Sequence, residues 1–173
     1  MAHLIEINGK KPVVHAGAFV APTAVLSGDV VLEDGASAFY GVSARGDSDA
    51  IRIGAGTNLQ DNVVVHADRG VPCTVGAGVS VGHAAVIHGC TIGDGCLIGM
   101  SATIMNGAVI GEQSLVAAGA LVLEGTHVPP RSLVAGVPAK VRRELTDEEV
   151  ASLGTNAETY LELAAQHRAA TQQ

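Results

Sequence analysis

Branched aliphatic side chains recur every six residues along most of this sequence, and this period limits the possible folds more than any other feature. The series comprises Ile53, Leu59, Val65, Val75, Val81, Ile87, Ile92, Ile98, Ile104, Ile110, Val116, Val122, Val128 and Val134. A six-residue period is typical of a parallel β-helix, in which each hexapeptide forms one short strand and one turn. Three hexapeptides then complete one triangular coil, with the aliphatic side chains inside.

The composition agrees with a thin, regular core. Hydrophobic residues make up 47% of the 173 residues, but aromatic residues only 2%, and there is no tryptophan. Such a core has to be filled by Val, Ile, Leu and Ala, while the 22 glycines can serve turns that need unusual backbone angles. We therefore predict an all-β chain, a parallel β-helix of hexapeptide repeats, over residues 1–140.

The six-residue period stops after Lys140, and residues 141–173 are charged and helix-prone. Thr146 and Thr155 are each followed three residues later by a glutamate, which is the spacing of a capping box. Gly154 lies just before the second box and predicts a break between two helices. We expect residues 141–173 to form a helical tail that packs on the β-helix.

Charge and cysteine content limit the partners and the compartment. The formal net charge of −7 argues against a nucleic acid or an anionic membrane as partner. No apolar run is long enough to span a bilayer, and the N-terminus shows no apolar signal segment. The three cysteines are odd in number and lack CxxC spacing, so we expect reduced thiols in a cytoplasmic protein.

Two histidines hold the same place in hexapeptides that are one coil apart. His66 follows Val65 and His88 follows Ile87, and four of the 22 residues between the two histidines belong to an insertion before Val75. The remaining 18 residues make three hexapeptides, so both imidazoles should stack on one edge, about 4.8 Å apart. Two imidazoles in this position can converge on one metal ion.

His83 cannot easily join that ion within the same chain. It lies two places after Val81, around a corner from His88, and extended chain could put ~16 Å between the two histidines. A neighbouring chain in a closed cyclic oligomer can supply the third imidazole. A three-fold assembly would then hold three sites, each with His66 and His88 of one chain and His83 of the next.

Four stretches carry a resemblance to a known family: ARGDSDAIRIGAGTNLQDNVVVH, VGHAAVIHGCTIGDG, LIGMSATI and SLVAAGALV. Through them the sequence resembles the γ-class carbonic anhydrases and their hexapeptide-repeat relatives over nearly its whole length. The resemblance implies a left-handed β-helix, an exception to the usual right-handed crossover. It also implies a homotrimer that binds zinc, or iron or cobalt, between subunits through His66, His83 and His88.

The resemblance assigns further polar residues around the metal. Arg45 and Asp47 match a family arginine and aspartate that pair near the subunit interface, and bidentate arginine–carboxylate geometry suits that role. Asn58 and Gln60 match polar groups that lie over the metal, with Asp61 supporting them.

The activity that the resemblance implies is reversible hydration of CO2 to bicarbonate by a zinc-bound hydroxide, with Gln60 orienting the hydroxide. Tyr160 matches a tail tyrosine that approaches the site in relatives. The glutamates that shuttle the proton in the family prototype are missing here, because Ser48 follows Asp47 and the loop after His66 has none. Asp49 and Asp68 are the candidate substitutes.

Two other functions remain open for a β-helix of this kind, because the fold alone does not decide the function. A hexapeptide-repeat acyltransferase or CoA-thioester hydrolase would use one histidine as a general base in an intersubunit cleft. A metal-stabilised trimeric scaffold would need the three histidines but no catalysis.

Overall fold

The computed structural model describes residues 2–171, in which the chain winds into a left-handed parallel β-helix followed by a single α-helix. All pairs of named strands run parallel except β19 with β20, which is antiparallel. The strands are β1 (His3–Ile5), β2 (Val13–Val14), β3 (Phe19–Val20), β4 (Val25–Leu32), β5 (Ser37–Ala38), β6 (Ser43–Ile53), β7 (Asn58–Leu59), β8 (Val64–His66), β9 (Cys73–Val75), β10 (Ser80–Val81), β11 (Val86–His88), β12 (Thr91–Ile92), β13 (Leu97–Ile98), β14 (Thr103–Ile104), β15 (Val109–Ile110), β16 (Leu115–Val116), β17 (Leu121–Val122), β18 (His127–Val128), β19 (Ser132–Gly136) and β20 (Ala139–Glu144), and the helix α1 is Asp147–Thr171.

The six-residue period becomes three columns of buried side chains, one on each face of the triangular coil. Strand register aligns the members of each column directly above one another, and each member is at most 4% exposed. One column is Ile53, Val75, Ile92, Ile110 and Val128. The second is Ala44, Val65, Ile87, Ile104 and Val122. The third is Ala38, Leu59, Val81, Ile98, Val116 and Val134.

The insertion after Val65 forms a short loop that leaves this register intact. An isolated bridge between Asp68 and Val71 closes the loop, and Asp49 on β6 accepts a hydrogen bond from the backbone N–H of Gly70 at 2.7 Å. The other oxygen of Asp49 accepts from the backbone N–H of Ala50, also at 2.7 Å. Both bonds lower the pKa of Asp49 below its ordinary value. Asp49 therefore anchors the loop, whereas the sequence suggested a proton acceptor.

The tail differs from the sequence prediction in two ways. Residues 139–144 return as β20 and pair with β19, so the strands continue past the predicted boundary at residue 140 and the helix begins only at Asp147. The predicted break at Gly154 is wrong, because α1 continues through it without interruption. Leu153 and Ala157, on either side of Gly154, are buried, and their packing holds the helix together there. Within residues 2–171, no helix is long and apolar enough to cross a membrane.

Aromatic side chains dock α1 against the β-helix. Phe39 packs edge-on against Tyr160 and His167 of α1, with ring centroids 5.5 Å and 5.6 Å apart. The hydroxyl of Tyr40 lies 2.8 Å from Nδ1 of His167. The few aromatic residues of this chain are therefore concentrated where the helix meets the coils.

The three cysteines are free and buried, in agreement with reduced thiols. Burial raises the pKa of Cys96 to about 11. Cys73 and Cys90 are neighbours, and sharing a hydrogen bond with Cys73 in a buried position raises the pKa of Cys90.

Replacing Thr146 by alanine is expected to lower the free energy of unfolding by about 1 kcal/mol. The hydroxyl of Thr146 accepts from the backbone N–H of Glu149 at 3.2 Å, and the Glu149 carboxylate accepts from the backbone N–H of Thr146 at 2.9 Å. The first capping box is therefore confirmed. Denaturant unfolding at a fixed protein concentration measures the effect.

Thr155→Ala is the matched control for this measurement. Thr155 lies inside α1 and donates its hydroxyl to the carbonyl of Ala151, so it caps nothing. Its replacement should change the free energy of unfolding by less than about 0.5 kcal/mol. If Thr155→Ala lowered the free energy of unfolding as much as Thr146→Ala does, Thr155 would also cap a helix, and the continuous helix α1 would be contradicted.

Candidate metal centre

His66 and His88 stand side by side at one corner of the β-helix. The parallel register of β8 and β11 pairs the two histidines, directly after the paired core residues Val65 and Ile87. The ring centroids are 4.9 Å apart, and Nδ1 of His66 lies 2.9 Å from Nε2 of His88. The predicted stacking of the two imidazoles is confirmed.

A carboxylate holds the far side of the His66 ring. Nε2 of His66 lies 3.1 Å from Oδ1 of Asp47, and Nη1 of Arg45 donates to Oδ2 of the same carboxylate at 2.6 Å. The hydrogen bond from Arg45 is the main cause that lowers the pKa of Asp47 below its ordinary value. The arginine–aspartate pair therefore forms within one chain and reaches the imidazole.

His83 lies at a different corner, in the turn between β10 and β11. A Cβ on Gly82 would lie 2.7 Å from the backbone nitrogen of Met100, so only glycine lets this turn approach the next coil so closely. The imidazole is about half exposed, and its Nδ1 lies 2.9 Å from Oδ2 of Asp61. Asp61 thus contacts a histidine, whereas the resemblance assigned it to the support of two amides.

Among residues 2–171, one group of three side chains could hold a metal ion. It consists of His66, Asp68 and His88, whose ligand atoms all lie within 4.8 Å of one another. Oδ1 of Asp68 is 3.9 Å from Nδ1 of His66. His83 lies outside this group. One chain therefore presents two imidazoles and a carboxylate at this corner.

Asn106 is a neighbour of the site that the sequence did not predict. Its Oδ1 lies 2.6 Å from Nδ1 of His88, and its Nδ2 donates to Oδ2 of Asp68 at 2.8 Å. Asn106 follows His88 by 18 residues, whereas Ile87 and Ile104 pair at a spacing of 17, so the repeat contained a signal that lies one residue past the position opposite His88. The residue type concealed it, because asparagine is common in turns for purely local reasons.

A row of buried amides lies beside the His83 corner. Nε2 of Gln60 donates to Oδ1 of Asn58 at 3.1 Å, and Nδ2 of Asn58 donates to Oγ of Ser80 at 3.0 Å. All three side chains are buried. Each amide donates one N–H within the row, which leaves Oε1 of Gln60 as an acceptor for another partner.

Gln60, His83 and Tyr160 line one cleft between α1 and the β-helix. Its volume is about 440 Å³, and the side chains of β13 and β16 give it mostly apolar walls. Burial raises the pKa of Tyr160 above its ordinary value. A single chain therefore divides the predicted site residues between two corners, with the paired imidazoles at one and Gln60, His83 and Tyr160 at the other.

The donor atoms at the paired corner fit a zinc-type ion. Imidazole nitrogens bind Zn²⁺ at roughly 2.0–2.1 Å, which puts two ligands of a tetrahedral ion roughly 3.3 Å apart. The 2.9 Å between the facing nitrogens of His66 and His88 is close to that spacing. Two histidines with a carboxylate also suit iron, so the donor set supports a metal ion without selecting one.

Comparisons with known proteins identify the family to which this chain belongs. Residues 89–124 match the family model described as bacterial transferase hexapeptide (six repeats). A protein named probable carbonic anhydrase from Methanocaldococcus jannaschii is 54% identical over 83% of this chain and 91% of its own length. Gamma carbonic anhydrase 2, mitochondrial, from Arabidopsis thaliana is 42% identical over 95% of this chain, which spans 61% of that longer relative.

A solved structure extends the likeness to the fold. The hexapeptide transferase family protein from Anaplasma phagocytophilum superimposes with a TM-score of 0.92 at 40% identity, over 95% of this chain and 97% of its own. Identity at this level over most of both chains is far beyond what a shared fold alone requires. The chain belongs to the γ-class carbonic anhydrase-like family of hexapeptide-repeat proteins.

Proposed function

We propose that this chain forms a homotrimeric metalloenzyme that catalyses the reversible hydration of CO2 to bicarbonate at its subunit interfaces. The observation that carries the proposal is the convergence of His66 and His88 at 2.9 Å, with His83 at another corner of the same chain. Each site takes the first two histidines from one chain and His83 from the next. Relatives named carbonic anhydrase support CO2 as the substrate.

Zinc, or iron or cobalt, held by three imidazoles would act as a Lewis acid that makes water nucleophilic at neutral pH. Asp47 and Asp61 accept from the ring nitrogens of His66 and His83 and so orient both rings toward the ion. The cytoplasmic location stays a prediction from the sequence, and the plant relative is named mitochondrial.

Gln60 and Asn58 position the attacking water. Asn58 holds the amide of Gln60, so that Oε1 of Gln60 accepts a hydrogen bond from the water O–H. This hydrogen bond orients a lone pair of the water oxygen toward CO2. Tyr160 forms part of the wall of the same cleft. Asp68, about half exposed beside His66, is the carboxylate best placed to take up the released proton.

Turnover is expected to rise several-fold when a small buffer is added at high concentration. Asp49 is engaged by two backbone N–H groups, and one oxygen of Asp68 already accepts from Nδ2 of Asn106, so neither candidate substitute for the shuttle glutamates is fully free for the task. Proton removal should therefore limit the reaction, and a mobile buffer can carry the proton instead. Stopped-flow CO2 hydration over a buffer series, with zinc-loaded and with anaerobically iron-loaded protein, measures the effect.

Metal content should be measured on the same samples, and the metal-free protein is the control. Hydration that exceeds the control only in the metal-loaded samples supports the proposal. If no sample exceeds the metal-free protein at any buffer concentration, CO2 hydration is rejected for this chain.

The cleft favours a second candidate, acyl transfer or hydrolysis of a CoA thioester. A volume of about 440 Å³ with apolar walls is far more than CO2 requires, and both the matched family model and the solved relative are described as transferases. His83 would be the general base in this reaction. Assays with short acyl-CoA substrates on the same preparations separate the candidates. A metal-bound trimer without either activity would favour the third alternative, a metal-stabilised trimeric scaffold without catalysis.

A further inference from the structure

Asp68, Asn106 and His88 form one chain of hydrogen bonds beside the paired imidazoles. Nδ2 of Asn106 lies 2.8 Å from Oδ2 of Asp68, and Oδ1 of Asn106 lies 2.6 Å from Nδ1 of His88. The bridge joins the insertion loop, which carries Asp68, to the coil that follows His88. Neither contact is needed to build the β-helix, whose strands are held by their backbone ladders.

The direction of these hydrogen bonds is forced by chemistry. An ionised carboxylate can only accept, so Asp68 requires the amide nitrogen of Asn106 to face it. The amide oxygen of Asn106 then faces His88, and since an amide oxygen can only accept, Nδ1 of His88 has to carry the proton. A neutral imidazole with its proton on Nδ1 keeps its lone pair on Nε2.

His66 is held in the opposite tautomer. Its Nε2 lies 3.1 Å from Oδ1 of Asp47, which requires the proton on Nε2 and leaves the lone pair on Nδ1. The two atoms that face each other at 2.9 Å are Nδ1 of His66 and Nε2 of His88. Both therefore present lone pairs, which repel one another without a cation between them and which are the two donor atoms that a metal ion needs.

The backbone leaves room for this arrangement. Gly89, next to His88, has a φ of +50°, and a Cβ there would lie 2.3 Å from Oδ1 of Asn106. A side chain at position 89 would push the amide away from the imidazole, so the glycine is required for the contact between Asn106 and His88.

We propose that Asn106 is a positioning residue that fixes the tautomer of His88, with Asp68 as the anchor that fixes the orientation of the Asn106 amide. A metal ion would then be held by Nδ1 of His66 and by Nε2 of His88. This inference rests on the proposed metal site but not on CO2 hydration, because the tautomers are set before any ion binds.

Nitrogen-15 NMR of the metal-free protein tests the tautomers directly. At about pH 8.5, well above the ordinary histidine pKa of about 6.5, long-range correlations within each neutral ring show which nitrogen is protonated. We expect the proton on Nδ1 for His88 and on Nε2 for His66. The His88→Gln variant assigns the His88 signals by their loss. Protonated Nε2 in His88 of the unmodified chain would overturn the proposal, whatever the variants do.

Asn106→Leu tests the consequence for metal binding. Leucine is similar in size to asparagine but accepts no hydrogen bond, so the His88 ring should populate both tautomers and zinc affinity should fall at least tenfold, within the ~10–100-fold range of such outer partners. Competition with a chelator of known affinity measures the change.

Met105→Leu is the matched control, since Met105 lies beside Asn106 and both methionine and leucine have apolar side chains. A drop in affinity equal to that of Asn106→Leu would show a packing effect and overturn the positioning role. Unchanged zinc affinity in Asn106→Leu would also overturn the positioning role of Asn106. Protein that binds no zinc at all, but shows the expected tautomers, would instead reject the metal site of the proposed function.

Discussion

Neither His66→Ala nor His83→Ala is expected to retain zinc by itself, whereas trimers assembled from both variants are expected to regain it. Each variant lacks one ligand in every site, and loss of a direct ligand should weaken zinc binding by more than the ~100-fold upper range for outer partners. In a mixed trimer, a site is complete where a chain with His66 and His88 meets a neighbour with His83. Random mixing of equal amounts completes about a quarter of the sites in a cyclic trimer.

The prediction follows from the position of the three histidines in one chain. His66 and His88 share a corner, while His83 lies beyond a turn in contact with Asp61. Zinc content after mixing, and after removal of loose metal with a chelator, measures the recovery. His127→Ala is the matched control, because His127 is exposed on β18, and it should bind zinc like the unmodified chain.

Two outcomes would contradict the shared site. The first is no recovery under conditions in which differently tagged subunits demonstrably exchange. The second is His83→Ala protein that binds zinc as tightly as the unmodified chain. In that case His66, Asp68 and His88 of a single chain would suffice as ligands, and Asp68→Ala should then abolish binding.

The core and the paired histidines could be predicted from the sequence because the β-helix repeats one simple rule. Every inward position takes an aliphatic side chain, so the count of hexapeptides also gives the register between coils. Subtracting the insertion after Val65 was enough to place His66 opposite His88, and the structure has that pairing. The two residues are outward neighbours of core positions, so their register follows from that of the core.

The continuous helix through Gly154 could not be predicted from local rules. Glycine inside a helix costs roughly 1 kcal/mol relative to alanine, which favours a break in an isolated peptide. The burial of Leu153 and Ala157 offsets this cost, and that contact depends on where α1 docks on the coils. Tertiary packing here overrides the local tendency of glycine to interrupt a helix.

The side-chain contacts at the turns also could not be predicted from the sequence. The contact of Asp61 with His83 depends on the turn at Ala84, whose φ of +58° is unusual for a residue with a side chain. The contact of Asn106 with His88 depends on a glycine at position 89. Both involve backbone conformations that the six-residue period does not encode.

Gln60→Leu is expected to lower kcat/KM for CO2 hydration by about 100-fold while changing zinc affinity only a few-fold. Gln60 belongs to the buried amide row and is not one of the three histidines of the proposed site, so its loss should leave the ion in place. Its Oε1 is the end of the buried amide row that remains available to orient water. Stopped-flow hydration and chelator competition on the same preparations separate the two effects.

The direction of the amide row makes a finer prediction. Nε2 of Gln60 donates to Asn58, and in the proposed arrangement the water is contacted by Oε1, an accepting oxygen; Gln60→Glu keeps such an oxygen whereas Gln60→Leu does not. The glutamate variant should therefore lose less activity than the leucine variant. Gln166→Leu is the matched control, because Gln166 is exposed on α1, and it should behave like the unmodified enzyme. Equal losses from the leucine and glutamate variants would mean that Gln60 acts through its amide nitrogen or through packing, and that water is oriented by another group in the cleft.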